Sequence, residues 1–245
     1  MNLVLLRPDE IDGGEARLRD RRAAHLRDVI GAGEGSRVRV GVVRGPRGTA
    51  RVAAARDGNG DVVLSLDALD QPATPRPPVD LVLAVPRPKA LRRVLQSAAA
   101  LGVGRIDLVN AWRVEKSFFH SPVLAAGALR DELIAGCEQG ATTWVPDVAV
   151  HELLMPFVES SLSGDDDRAR VLLHPHAGAA IETRITPGHR GRVVAAIGPE
   201  GGWIDRELAT FEEQSFAAVH LGERVLRVET AVSVLLAQIA LLRRL

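Results

Sequence analysis

The chain is expected to fold as an α/β protein, with a parallel sheet and covering helices preceded by a small β-rich segment. Three observations predict this. Val79 to Val85 is a continuous apolar run, a helical stripe follows it, and Ile106 to Val109 is a second apolar run, which together make a βαβ unit. Residues 71–78 hold Pro72, Pro75, Pro77 and Pro78, a density that makes a stiff connector and separates two parts of different character. Three further strand ends run into polar or glycine-rich loops, where α/β sheets place their ligands.

In chain order, residues 1–71 form the β-rich part. Leu18 to Ile30 reads as a helix closed by Gly31, and Arg17, Arg19, Arg21, Arg22 and Arg27 lie in or beside it. These arginines fit either a solvated helix face or a patch that faces phosphate. Val38, Val40 and Val42 alternate with Arg37, Arg39 and Gly41, the period of a half-buried strand. Thr49 to Ala55 and Val62 to Leu66 pair across the turn signal Asp57-Gly58-Asn59-Gly60. Residues 72–78 are the linker, and 79–245 are the second domain.

In that domain Pro88 opens a helix with Leu91, Val94, Leu95, Ala98 and Leu101 on one stripe, and Gly102 stops it. Ser121-Pro122 is expected to cap a helix running to about Gln139. Leu153 to Val158 contains Pro156, so a helix there should be kinked or broken. Residues 160–168 are a polar loop. Val171 to Leu173 leads into His174-Pro175-His176, and Arg192 to Ile197 leads into Gly198-Pro199-Glu200-Gly201-Gly202-Trp203. A helix should begin after that turn, with Asp205 near its N-cap and Glu207 in its first turn. Ala217 to Leu221 leads into Gly222-Glu223-Arg224-Val225-Leu226-Arg227. The last helix, from about Thr230 to Arg244, is apolar on nearly every side and so must be buried all round, for which a subunit interface is one means.

Composition narrows the function. A net charge of zero, from 31 basic and 31 acidic residues, argues against a strongly basic, non-specific nucleic-acid binder but allows local basic patches. Cys137 is the one cysteine, so no internal disulfide forms and a reducing, cytoplasmic setting fits; it is expected to be a small core residue. Met1 to Leu6 lacks the features of a signal peptide, and the apolar run from Ala231 to Leu242 is too short to span a bilayer. His174, His176 and His189 lack the partners and spacing of a metal site, so no metal is expected. Aromatic residues make up 3% of the chain, too few for extensive base stacking.

The loops carry a more specific signal. I-G-P-E-G-G at 197–202, L-G-E-R-V-L-R-V-E-T-A at 221–231 and L-H-P at 173–175 resemble the RsmE-type family of bacterial 16S ribosomal RNA methyltransferases, which act on N(3) of a uridine. V-P-R-P-K at 85–89, L-G-V-G-R-I at 101–106, C-E-Q at 137–139 and H-L-R-D-V-I at 25–30 fall where that family has similar segments. The resemblance spans the whole chain. It implies a SPOUT-type domain with a deep C-terminal trefoil knot, an exception to the rule that chains avoid knots. It also implies a preceding PUA-like β-barrel, a homodimer, S-adenosylmethionine as cofactor, and 16S ribosomal RNA or the small ribosomal subunit as partner. The chain departs from the family pattern at Ala141-Thr142-Thr143, where an arginine is usual, and at Ser97 and Ala100, where a lysine and a glutamate are usual. Those departures leave room for a methyltransferase of the same fold acting on another RNA or base, or for a non-catalytic RNA-binding assembly factor.

Carried onto these positions, the resemblance implies cofactor binding by Leu173, His174 and Pro175, by Gly198, Pro199, Glu200 and Gly201, and by Leu221, Gly222, Val225, Leu226, Arg227, Glu229, Thr230 and Ala231. Backbone groups of these turns can bracket an adenosine without charged side chains. Glu200 can bond a ribose hydroxyl or an amino group, or cap the next helix. Glu229 can do the same, or complement a helix dipole. The candidate catalytic residues are Arg227, Arg224 and Glu229. Transfer to N(3) requires loss of a proton, and a planar guanidinium can orient the base or stabilise its anion. A structural ion pair of Arg227 with Glu223 or Glu229 is the alternative. Arg21, Arg22, Arg27, Arg87, Lys89 and Arg92 are the candidate RNA-binding residues; the basic cluster at the first helix, which includes Arg93, fits a solvated face equally well.

Overall fold

In the computed structural model, residues 1–55, 60–162 and 167–245 are described. The turn signal at 57–60 and the polar loop at 160–168 therefore fall partly outside the described residues. The described chain divides into two compact units, 1–76 with 134–145, and 77–133 with 146–245.

The first unit is a six-stranded sheet in the order β1-β4-β5-β6-β3-β2, curled as a half-barrel. Its strands are β1 (Val4–Leu6), β2 (Ile11–Asp12), β3 (Glu15–Leu18), β4 (Arg37–Val42), β5 (Arg47–Ala55) and β6 (Val62–Leu66). Apart from the parallel β1–β4 pair, neighbours run antiparallel. A bulge between Val52 and Ala54 bends β5, as barrel-like curvature requires. Leu6, Leu18, Leu26, Val40 and Leu64 are fully buried at its centre.

The expected helix from Leu18 to Ile30 is shorter and irregular. Leu18 belongs to β3, and α1 spans only Arg21–Ala24 before a π-helical turn at His25–Val29. Asp20 is the reason it starts late: its carboxylate accepts the Arg22 N–H at 2.9 Å, an N-cap. Gly31 closes the segment with φ +67°.

Residues 134–145 contribute two anchors to this unit. The Glu138 carbonyl accepts the N–H groups of Asn2 and Leu3, and its carboxylate accepts the Leu5 N–H at 3.2 Å and pairs with Arg21 at 2.6 Å. Burial pushes the Glu138 carboxyl above its ordinary range. Thr143, fully buried, exchanges hydrogen bonds with Thr74 in both directions, at 2.9 and 3.1 Å. Thr143 thus serves the packing of this unit. Cys137 is buried, which pushes its thiol up to about 12.

The second unit is a six-stranded, all-parallel sheet in the order β12-β10-β11-β7-β8-β9. Its strands are β7 (Val79–Ala84), β8 (Arg105–Val109), β9 (Asp147–His151), β10 (Ala169–Leu173), β11 (Val193–Ile197) and β12 (Ala217–Val219). The helices are α2 (Pro88–Leu101), α3 (Lys116–Phe119), α4 (Ala126–Gly140), α5 (Leu154–Ser161), α6 (Asp205–Glu213) and α7 (Val228–Leu242). Residues from Ile134 onward in α4 belong to the first unit.

Four expectations shift. Ala99 joins the buried stripe of α2, and Leu101 lies outside it, 49% exposed. Ser121-Pro122 caps only a 3₁₀ turn, Pro122–Leu124, before α4 begins. Pro156 falls in the first turn of α5, where the missing N–H would have no partner within the helix, so α5 continues through it. Finally, α7 buries Val228, Ala231, Val232, Leu235, Leu236, Ile239 and Leu242 within its own chain, largely by packing on α2, and leaves Leu241 48% exposed.

Candidate active site

The sheet order puts the C-terminal ends of β12, β10 and β11 side by side. The loops that follow these strands close around one cavity of about 860 Å³. That is the size of a small-molecule site. Leu173, His174 and Pro175 come from the first loop, Gly198 to Trp203 from the second, and Leu221, Gly222 and Arg224 to Glu229 from the third, with Ala231 on α7. Arg87 and Lys89, at the start of α2, also reach it. Thr230 and Arg92 do not line it. Arg92 instead pairs with Glu132 at 3.1 Å.

The glycine turn is shaped for close approach. A Cβ on Gly198 would stand 3.1 Å from Cε2 and Nε1 of Trp203, and a Cβ on Gly201 would stand 3.1 Å from the Arg113 side chain. Trp203 is itself wedged, with its ring 5.0 Å from that of Phe211. The Trp203 indole N–H is buried without a hydrogen-bond partner among the described residues. In the third loop, the peptide groups of Arg224, Val225 and Leu226 make no hydrogen bond within the described chain. They are donors and acceptors available to a ligand.

Two residues outside the sequence motifs hold this turn. Glu207 is buried, and its carboxylate accepts the Ile204 N–H at 2.9 Å and the Trp112 N–H at 2.7 Å. It caps α6, whose N-cap is Ile204 with Asp205 one position inside. Arg113 donates from Nη1 to the Gly201 carbonyl at 2.6 Å and lines the cavity. The loop after β8 therefore braces the loop after β11. Arg93 also lines the cavity.

Glu200 does not cap α6. Its carboxylate accepts the N–H of Arg87, the N-cap residue of α2, at 3.3 Å and lies 3.6 Å from the Arg87 guanidinium. Arg224 and Arg227 form no ion pair among the described residues, so the alternative pairing with Glu223 or Glu229 is not made. Arg227 is the N-cap residue of α7, and Glu229 lies in its first turn. The His174 N–H is taken by the Val219 carbonyl at 3.0 Å, and the His174 ring accepts the His176 N–H at 3.3 Å, which shapes this loop. No group of three metal-ligating side chains stands together among the described residues.

Of the arginines expected to face RNA in the first unit, Arg22 is corrected. It is 3% exposed, and its guanidinium is consumed by Glu10 at 2.5 Å, Asp20 at 2.7 Å and the Leu5 carbonyl at 2.5 Å. A buried cation so enclosed is structural. Arg21 is half-exposed despite its pairing with Glu138, and Arg27 donates to the Gly60 carbonyl.

A family model described as an RNA methyltransferase domain matches residues 73–240. The chain belongs to this family. It is 31% identical to the Ribosomal RNA small subunit methyltransferase E of Treponema pallidum over 94% of this chain and 87% of that protein. Among solved structures, a Ribosomal RNA small subunit methyltransferase E from Neisseria gonorrhoeae, bound to S-adenosyl methionine, superposes with a TM-score of 0.76 at 21% identity, covering 98% of this chain and 96% of the other. A Legionella pneumophila structure solved with the same cofactor gives 0.80 at 21% identity, over 97% and 96%.

Proposed function

We propose that this protein methylates 16S ribosomal RNA with S-adenosylmethionine, at N(3) of a uridine. The observation that carries the reading is the closure of the loops after β10, β11 and β12 around one cavity of about 860 Å³. The cavity walls suit the cofactor. Gly198 and Gly201 let the turn pack tightly on Trp203 and Arg113, which leaves room in the cavity for an adenosine, and the free peptide groups of Val225 and Leu226 can read an adenine edge. Leu173, His174, Pro175, Pro199, Leu221 and Gly222 complete the cradle. Glu200 and Glu229 accept from hydroxyl or amino groups, while Thr230 and Ala231 support the start of α7.

When bound, S-adenosylmethionine supplies the methyl group on a sulfonium, ready for in-line displacement. The chain aligns the two partners. Arg227 orients the uracil, and Arg224 assists it. Both guanidiniums are free of carboxylate partners among the described residues and can stabilise the anion left when the N(3) proton passes to solvent water. Arg87 and Lys89, at the cavity, contact phosphate, and Arg92, Arg21 and Arg27 contact phosphate elsewhere on the RNA.

The same reading extends to the whole chain. Residues 1–71 are a PUA-like RNA-binding barrel, 72–78 the linker and 79–245 the SPOUT domain, whose segment 134–145 packs with the barrel. Insertion of β11 between β7 and β10 supports a deep trefoil knot. A homodimer belongs to the same reading. The setting is the cytoplasm; among the described residues no helix is long and apolar enough to cross a membrane.

The test incubates the full-length protein and labelled cofactor with small ribosomal subunits from a strain that lacks the gene, followed by mass spectrometry of the nucleosides. Labelled 3-methyluridine is the expected product. Label on another base or RNA moves the target, and cofactor binding without any transfer leaves a non-catalytic assembly factor.

A further inference from the structure

Trp112 stands apart from the other two tryptophans. It is 80% exposed, whereas Trp203 is 4% exposed and Trp144 lies against the Arg44 guanidinium at 4.7 Å. A large apolar ring in water needs a reason, above all in a chain with 3% aromatics. Its backbone is not loose. The Trp112 N–H is fixed at 2.7 Å to the buried Glu207 carboxylate, Ala111 before it is buried, and Arg113 after it is tied to Gly201 at 2.6 Å. The ring is therefore presented outward from a rigid turn, one residue from the cavity wall.

The surroundings say what such a ring would meet. The cavity that the next residue, Arg113, lines also carries Arg87, Lys89, Arg93, Arg224 and Arg227 against the carboxylates of Glu200 and Glu229. A basic surface with an exposed indole is the combination that holds single-stranded nucleic acid, with phosphates on the cations and a base on the ring. We infer that Trp112 is an RNA-contacting residue, a stacking platform for an unpaired base next to the nucleotide that enters the cavity. The inference rests on the proposed function and adds a contact that none of the loop motifs contains.

The experiment uses the full-length protein saturated with S-adenosylhomocysteine and a short oligouridylate as probe. Stacking on one base is worth a factor of about 5–150 in affinity. Trp112→Ala should weaken oligonucleotide binding by about tenfold, Trp112→Phe should restore most of it, and cofactor affinity by calorimetry should not change. With ribosomal particles, Trp112→Ala should raise KM and leave kcat in place. An oligonucleotide with abasic positions should lose the same factor against the wild type and nothing further against Trp112→Ala, a coupling that a merely structural residue would not show.

Equal binding by Trp112→Ala and the wild type overturns the stacking role and leaves the methyltransferase reading intact. A Trp112→Ala variant that sediments as a smaller species than the wild type overturns it in favour of a contact between two copies of this chain. A wild type that binds cofactor but neither oligouridylate nor ribosomal particles removes both readings.

Discussion

At Gly198 the main chain passes against the Trp203 indole, and the ring cannot retreat because Phe211 and then Phe216 pack behind it, tilted and edge-on, at successive centroid distances of 5.0 Å. Gly198→Ala should therefore push the turn outward, into the space an adenosine needs, at a cost of about 1–3 kcal/mol. Calorimetric titration with S-adenosylmethionine should show affinity at least about tenfold weaker, the equivalent of about 1.4 kcal/mol. Unchanged affinity would mean that the cofactor does not lie against this turn. The glycines of that turn were legible in the sequence because their spacing between a strand and a helix is local. The residues that brace it were not. Glu207 reaches Trp112 across 95 positions and Arg113 reaches Gly201 across 88, and nothing in either neighbourhood marks the partner. For Glu207 the only local sign was its place in the first turn of α6, which accounts for the bond to Ile204 alone.

Among the elements, the arginine-rich segment at 17–27 shows why charge pattern alone leaves faces undecided. Arg21 and Arg22 are adjacent and chemically identical, yet one is half-exposed and the other enclosed. The turn from β3 into α1, capped by Asp20, carries Arg22 inward, where Glu10 meets it. Burial acts to raise the Glu10 and Asp20 carboxyls, but the Arg22 guanidinium, together with the Arg7 N–H on Glu10 and the Arg22 N–H on Asp20, outweighs it and holds both below their ordinary values. Carboxylates with lowered folded values stabilise the fold above their unfolded values, and that contribution is lost as pH falls through the folded ones. Arg22→Met should cost about 3 kcal/mol near neutrality, because it strands the carboxylates. The gap to the wild type should close as pH drops below about 4, where they protonate. Urea unfolding across that range measures it, and a gap independent of pH would show that packing, not charge, fixes Arg22. Pro156 teaches a similar lesson. Its residue type was plain, but its effect depended on whether α5 began just before it or well before it, and helix boundaries are set by tertiary contacts to within a turn.

For the whole molecule, the decisive feature is the strand order β12-β10-β11-β7-β8-β9, because it brings three loops from distant parts of the chain to one edge. A ligand held by all three binds only the folded state and so stabilises it. Cofactor at a hundredfold excess over its Kd should add about 2.7 kcal/mol. In a domain of this size that raises the Tm by about 5–10 °C. Thermal scans with and without S-adenosylmethionine check this, and an unmoved Tm would speak against a site shared by the three loops. The elements of the second unit were largely legible beforehand, since buried parallel strands are continuous apolar runs and an amphipathic stripe marks α2. In the first unit β4 and β6 were legible from alternation and turn residues, but β1, too short for a period to show, was not.

By itself, the sequence determined the local matters: most of the longer strands and helices, the glycine and proline turns, and the motif-bearing loops. Only the tertiary structure decided which arginines are enclosed, that residues 134–145 pack with the first unit, and which side chains hold the glycine turn. The division is physical. Periodicity and turn chemistry are short-range and can be read along the chain, whereas burial and hydrogen bonding depend on partners that are brought near only by the path of the sheet.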